Sequence, residues 1–125
     1  MLLNIITAWT VFLLGIIAGA ISGLKFHSDT FLGGYDSWSR RLVRLAHISF
    51  FGLGLLNLVF ALTARSLNIT TGLTAASIML VTGAVTMPSV CYLAAFRKPF
   101  RHLFFIPVGS VLGGVAITLW RVLTL

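Results

Sequence analysis

SLNITTGLTAASIMLVTGAVTMPSVCYLAAF, residues 66–96, carries no charge and decides how many times the chain crosses a membrane. At 31 residues it exceeds the roughly 20 needed for one helical span and is too short for two spans joined by a turn. Its beginning is polar, with Asn68, Thr70, Thr71 and Gly72 reading as a loop that leads into a helix. The stretch therefore holds one span. Three further uncharged runs, 1–24, 45–64 and 103–120, hold one each. Helices are expected near 4–24, 40–63, 72–96 and 101–123. The fold class follows: all-α, a single polytopic membrane domain over 1–125, built as a four-transmembrane-helix bundle. A membrane β-barrel would need period-two alternation, and these runs do not alternate.

Composition agrees. Of the 125 residues 58% are hydrophobic and 9% charged, with a mean hydropathy of +1.06. A soluble domain carries about 25% charged residues. A chain this small cannot hide so much apolar side chain from water, so lipid is its solvent. The net charge of +7 comes in short clusters between apolar runs. That pattern suits anionic headgroups and topology control, and no nucleic-acid partner is expected. A single cysteine, Cys91, excludes an intrachain disulfide.

The basic residues also give a side. Lys25, Arg40, Arg41 and Arg44 flank the first connection and Arg97, Lys98 and Arg101 fill the third; only Arg65 and Arg121 lie opposite. Positive residues concentrate in cytoplasmic connections, which puts both termini on the non-cytoplasmic side of a bacterial inner membrane or its equivalent. Trp9 and Trp120 are expected toward the outer boundary and Trp38 toward the inner one. A cleaved signal peptide is the alternative for the first run, but no basic segment precedes it and the run exceeds a typical signal core.

YDSWSRRLVRLAHIS, residues 35–49, gathers one acid, three arginines and a histidine. Asp36 and Ser37 are helix N-cap types, so the second helix begins just after them. Arg40, Arg41 and Arg44 then sit at headgroup depth, where guanidinium groups meet lipid phosphates. At 100° per residue, Arg40, Arg44, His47, Phe51, Gly54 and Leu58 form one stripe, and Gly54 lets another helix approach it. His102 opens the fourth helix and shares a face with Ile106, Gly109, Gly113, Ala116 and Trp120. Ionisable residues in a membrane are functional candidates, and two facing histidines can hold a haem iron. His47 and His102 are the candidate haem b ligands, with Arg40, Arg44, Arg97 and Arg101 as contacts for propionates or lipid phosphates. An interface histidine bonded to a carbonyl, a phosphate or water needs no ligand, which is the plainer reading. His27 lies in the first connection.

Met87 and Cys91, four apart, are soft donors suited to copper, though two such residues make no site alone. Pro88 removes a backbone bond to Ala84 and is expected to kink the third helix, with Thr86 or Ser89 serving the freed group. Pro107 should act likewise near the start of the fourth. Gly15, Gly19 and Gly23 form two GxxxG steps, and Gly109 and Gly113 another, spacings that let helix backbones approach. Asn68-Ile69-Thr70 matches a glycosylation sequon and is read as loop.

Both acids, Asp29 and Asp36, lie in the first connection. Without a carboxylate in a span, a proton-coupled exporter is disfavoured. No serine–histidine–acid set or HExxH motif is present, so an autonomous enzyme is not expected. Two functions remain: an accessory subunit packing against a larger membrane complex, respiratory or photosynthetic, or a haem b- or quinone-binding electron-transfer protein using His47 and His102.

Overall fold

The computed structural model describes residues 1–125. Four helices, α1 (Leu2–Lys25), α2 (Trp38–Ser66), α3 (Thr74–Phe96) and α4 (Phe105–Leu123), account for most of the chain. There are no strands. All four helical segments are long and apolar enough to cross a membrane, α4 together with the 3-10 segment Lys98–Phe104 that leads into it. α2 and α3 form the centre. α1 packs on α2 and touches α3, and α4 packs on α3.

The termini share one end of the bundle. Met1 and Leu2 line a cavity with Arg65, Asn68 and Thr70 of the α2–α3 connection. Arg121 donates to the Thr71 carbonyl there at 3.3 Å. The first and third connections meet at the other end, where Phe26, Leu32, Phe100 and Phe104 pack around Leu42, Val43, Ala94 and Ala95. Seven basic residues mark that end.

Helix boundaries follow local chemistry. Ser37 caps α2: its hydroxyl accepts from the Arg40 amide at 3.2 Å and donates to the Leu32 carbonyl at 2.6 Å. The loop 67–73 falls where the polar stretch predicts it, and Gly72 takes a φ of +77° with the Arg121 side chain against it. A side chain at Gly72 would be both strained and crowded. The fourth helix differs from expectation. Residues 98–104 wind as a 3-10 segment with Pro99 near its start, and the α-helix begins at Phe105. Pro107 is thus in the first turn of α4, where its missing N–H had no partner to lose. It causes no break.

Helix contacts are close. Eight of the seventeen buried hydrophobic residues are alanine, so backbones approach one another instead of sharing bulky side chains. In lipid this is how helices associate, through dispersion contacts between well-fitted surfaces. The α1–α2 seam is a reciprocal set of glycine notches. A Cβ on Gly15 would come within 2.9 Å of Phe50 and Phe51, one on Gly19 would strike the His47 ring, and one on Gly54 would meet Phe12 and Val11. The stripe Arg44, His47, Phe51, Gly54 does face a helix, and that helix is α1.

The α3–α4 seam uses other glycines. Gly83 receives Val111, and Gly114 receives Leu80. The stripe through Ile106, Gly109, Ala116 and Trp120 points away from the bundle, and only Gly113 touches it, through Met79. The Gly109–Gly113 ridge is therefore not the inner seam of α4.

A polar clasp joins three helices. Asn4 and Asn57 are fully buried. The Asn4 amide donates to Asn57 Oδ1 at 2.9 Å, and the Ser77 hydroxyl donates to Asn4 Oδ1 at 2.5 Å. Asn57 donates in turn to the carbonyls of Leu53 and Leu80, at 2.9 and 3.1 Å.

Candidate functional site

The first turns of α2 organise the arginine-rich end. Trp38 Nε1 donates to the Ala94 carbonyl at 2.9 Å, and the Ser39 hydroxyl to that of Ala95 at 2.6 Å. These carbonyls belong to the last turn of α3, which has no intrahelical donor for them. Two side chains at the start of one helix thus complete the end of another. Trp38 is half-buried in this role, whereas Trp9 and Trp120 face outward.

Arg40 turns inward. It is 5% exposed, donates to the carbonyls of Phe26 at 2.7 Å and Ser28 at 3.2 Å, and lies over the Phe26 ring. This corrects the expectation that it reaches lipid or a propionate: its short distance from the cap places it under the first connection, whose turning backbone presents carbonyls to it. Arg41 is the exposed member of the cluster.

Arg44 is half-exposed. Its guanidinium stacks on Tyr35 with 4.1 Å between Cζ and the ring centroid, and Nη2 donates to the Tyr35 carbonyl at 3.1 Å. Nη1 is buried and has no partner. One turn on, the His47 ring meets Phe51 edge-on, at 5.3 Å between centroids, and presses on Gly19. Arg44 and His47 line a cleft of about 190 Å³ with Gly19, Ser22, Gly23, Phe26 and Val43.

That cleft draws on α1 and α2 alone. His102 is exposed on the 3-10 segment, as are Arg97 and Arg101 beside it. Neither the cleft nor the contacts of His47 include His102. His27, also exposed, donates through Nδ1 to the Leu24 carbonyl at 2.7 Å, closing the end of α1.

Cys91 is fully buried and Met87 partly so, and no third histidine, cysteine or acid gathers with them into a metal-binding group. Near Pro88 the hydroxyls serve neighbouring carbonyls, Thr86 that of Thr82 and Ser89 that of Val85, so neither takes the Ala84 carbonyl expected of them.

Sequence reasoning found Arg44, His47 and the Gly19 notch. It missed the asparagine clasp, although two asparagines inside uncharged runs signal a buried polar contact. Comparisons of the chain with protein-family models, curated proteins and solved structures found no match.

Proposed function

We propose that this chain is a small accessory subunit of a larger membrane complex, docking through α4. One observation carries the reading: α4 is the least enclosed of the helices. Of its 19 residues only Pro107 and Gly114 are buried, and a Cβ on Gly109 would meet nothing within 4 Å. The same helix already uses Gly114 to bring α3 close, and Gly109 offers the equivalent notch on the outward face. Phe105 and Leu112 flank it as exposed anchors, and Trp120 is exposed on the same face about three turns on. The connections are short and hold no domain that acts alone. Under this reading the arginine-rich end is cytoplasmic and fixes the insertion of the subunit.

The electron-transfer reading has less support, because His47 and His102 occupy different surroundings. Purification from the native membrane in mild detergent separates the two. The accessory reading predicts a complex far larger than the 13.5 kDa chain, present in fixed ratio, and released by Gly109→Leu, whose Cβ meets no atom of the bundle within 4 Å. A lone chain with a haem spectrum that disappears on replacing His47 or His102 would establish the alternative instead.

A further inference from the structure

We infer that the cavity at the end of the bundle holding both termini binds a phospholipid with one net negative charge and a hydroxyl-bearing headgroup. Its phosphate meets Arg65, its headgroup hydroxyls meet Asn68, Thr70 and Thr74, and its acyl chains cover the apolar side. The inference is independent of docking through α4 and of which membrane face this end occupies. The cavity, about 630 Å³, lies between the start of α1 and the end of α2. Its lining divides by depth. Arg65 is in the last turn of α2, Asn68 and Thr70 are in the connection, and Thr74 is the first residue of α3. Ile5 and Leu62 line it about one turn further along the apolar helices α1 and α2, with Leu2 at the rim. A phospholipid changes from polar to apolar in the same direction.

The polar wall is fixed by its backbone, which leaves its side chains free. Asn68 takes a φ of +54°, and its amide donates to the Arg65 carbonyl at 3.2 Å. The Ile69 amide donates to the Ala64 carbonyl at 2.8 Å. These two bonds form the Schellman ending of α2, whose left-handed position asparagine tolerates. Ile69 is buried in one cluster with Phe60 and Ala64, which anchors the connection from beneath. Arg65, Asn68, Thr70 and Thr74 are all exposed. The hydrogen bonds of this end run through backbone groups and through Arg121, which takes the Thr71 carbonyl. Each of the four side chains can therefore turn to a ligand without giving up a bond inside the protein.

Charge selects the ligand. Both acids of the chain, Asp29 and Asp36, lie in the first connection at the opposite end, so Arg65 has no counterion within the protein. Of the two basic side chains at this end, Arg121 is committed to the α2–α3 connection and Arg65 alone lines the cavity. One guanidinium beside three uncharged hydrogen-bonding groups suits a single negative charge with neutral polar groups next to it. A guanidinium matches phosphate oxygens in both charge and geometry. A carboxamide and two hydroxyls can donate to headgroup hydroxyls and accept from them. A soluble anion would leave Leu2, Ile5 and Leu62 uncovered, whereas acyl chains remove that surface from water.

Side-chain amides provide the readout. The chain has three asparagines and no glutamine, so its carboxamide resonances belong to Asn4, Asn57 and Asn68. The full chain is held in maltoside micelles, which contain no phosphate, and these resonances are followed by nuclear magnetic resonance. Phosphatidylglycerol, phosphatidylcholine and glycerophosphate are titrated separately. Phosphatidylglycerol is expected to shift Asn68 saturably while buried Asn57 stays in place. The other two probes should bind about tenfold or more weakly, the first for lack of net charge and the second for lack of a tail. Arg65→Ala should weaken phosphatidylglycerol binding by about tenfold or more, the loss of about one charge-assisted hydrogen bond, and Thr70→Val by about threefold. Arg41→Ala, which removes an exposed cation at the opposite end, should bind as the unaltered chain does. An Asn57 resonance in its usual place shows that each variant keeps the clasp and the fold. The proposal is overturned if phosphatidylglycerol leaves Asn68 unmoved, or if Arg65→Ala binds normally. An equal response to phosphatidylcholine or to glycerophosphate also overturns it, since charge or the apolar wall then plays no part. So does an equal loss in Arg41→Ala and Arg65→Ala, because the attraction is then only diffuse charge.

Discussion

Gly19 and Gly23 are one helical turn apart on α1 and play opposite parts. A side chain on Gly19 would strike the His47 ring, whereas one on Gly23 enters open space. Gly19→Ala is therefore expected to lower stability by about 1–3 kcal/mol, the usual range for overpacking, and Gly23→Ala, unobstructed within a helix, to raise it by about 0.5–1 kcal/mol. Thermal unfolding in detergent, followed by circular dichroism, measures both. Asn57 permits a second prediction at this scale. Asn57→Leu removes three hydrogen bonds of the clasp and leaves the Leu80 carbonyl without its side-chain donor. Two of these bonds cross between helices, and interhelical bonds in membranes average only about 0.6 kcal/mol each, so a loss of about 1 kcal/mol is expected in the same assay. The sequence displayed the glycine spacing openly but not the use of each glycine. Spacing fixes a face, and only the partner helix determines which notch on that face is filled.

At the level of elements, the start of α2 is the joint of the arginine-rich end. It caps itself through Ser37, completes the end of α3 through Trp38 and Ser39, and holds the first connection through Arg40. Arg40→Ala is expected to loosen that connection, since hydrogen bonds from a charged group contribute about 1.5–3 kcal/mol. Hydrogen exchange should rise across residues 26–34, while Arg41→Ala, at an exposed position, leaves exchange as it was. Equal exchange in the two variants would show that Arg40 does not hold the loop. The extents of the helices were legible because hydrophobic length and a Ser37 cap are local signals. The 3-10 segment at 98–104 was not, since its winding depends on Phe100 and Phe104 reaching the core beside Leu42 and Ala94. The inner face of α4 was not legible for a related reason. Spacing marks the face that His102 shares with Gly109 and Gly113, but α4 meets α3 mainly through Pro107, Val111 and Gly114.

For the whole molecule, seven basic residues at one end against two at the other predict how the bundle inserts. With Ser28→Cys, a membrane-impermeant maleimide should label the chain only from the cytoplasm, and with Thr70→Cys only from the opposite side. Buried Cys91 stays silent in both. Labelling in the reverse sense would invert the topology. The membrane class of the chain was legible from composition, because no packing of 125 residues hides so much apolar surface from water. The candidate site was legible only in part. Arg44 and His47 were visible as a pair on one stripe, but the cleft requires Ser22 and Gly23 from α1, whose register against α2 is set by Phe12 filling the Gly54 notch.

Docking through α4 is the central claim, and site-specific photocrosslinking in the native membrane tests it most directly. A photoreactive residue is placed in turn at Gly109 and Leu112, both exposed on α4, and at Ile16 and Ile21 on the exposed face of α1. The account predicts one protein adduct of constant mass from the α4 positions and only lipid adducts from α1. Lipid adducts from all four positions, or the same protein adduct from both helices, would contradict it.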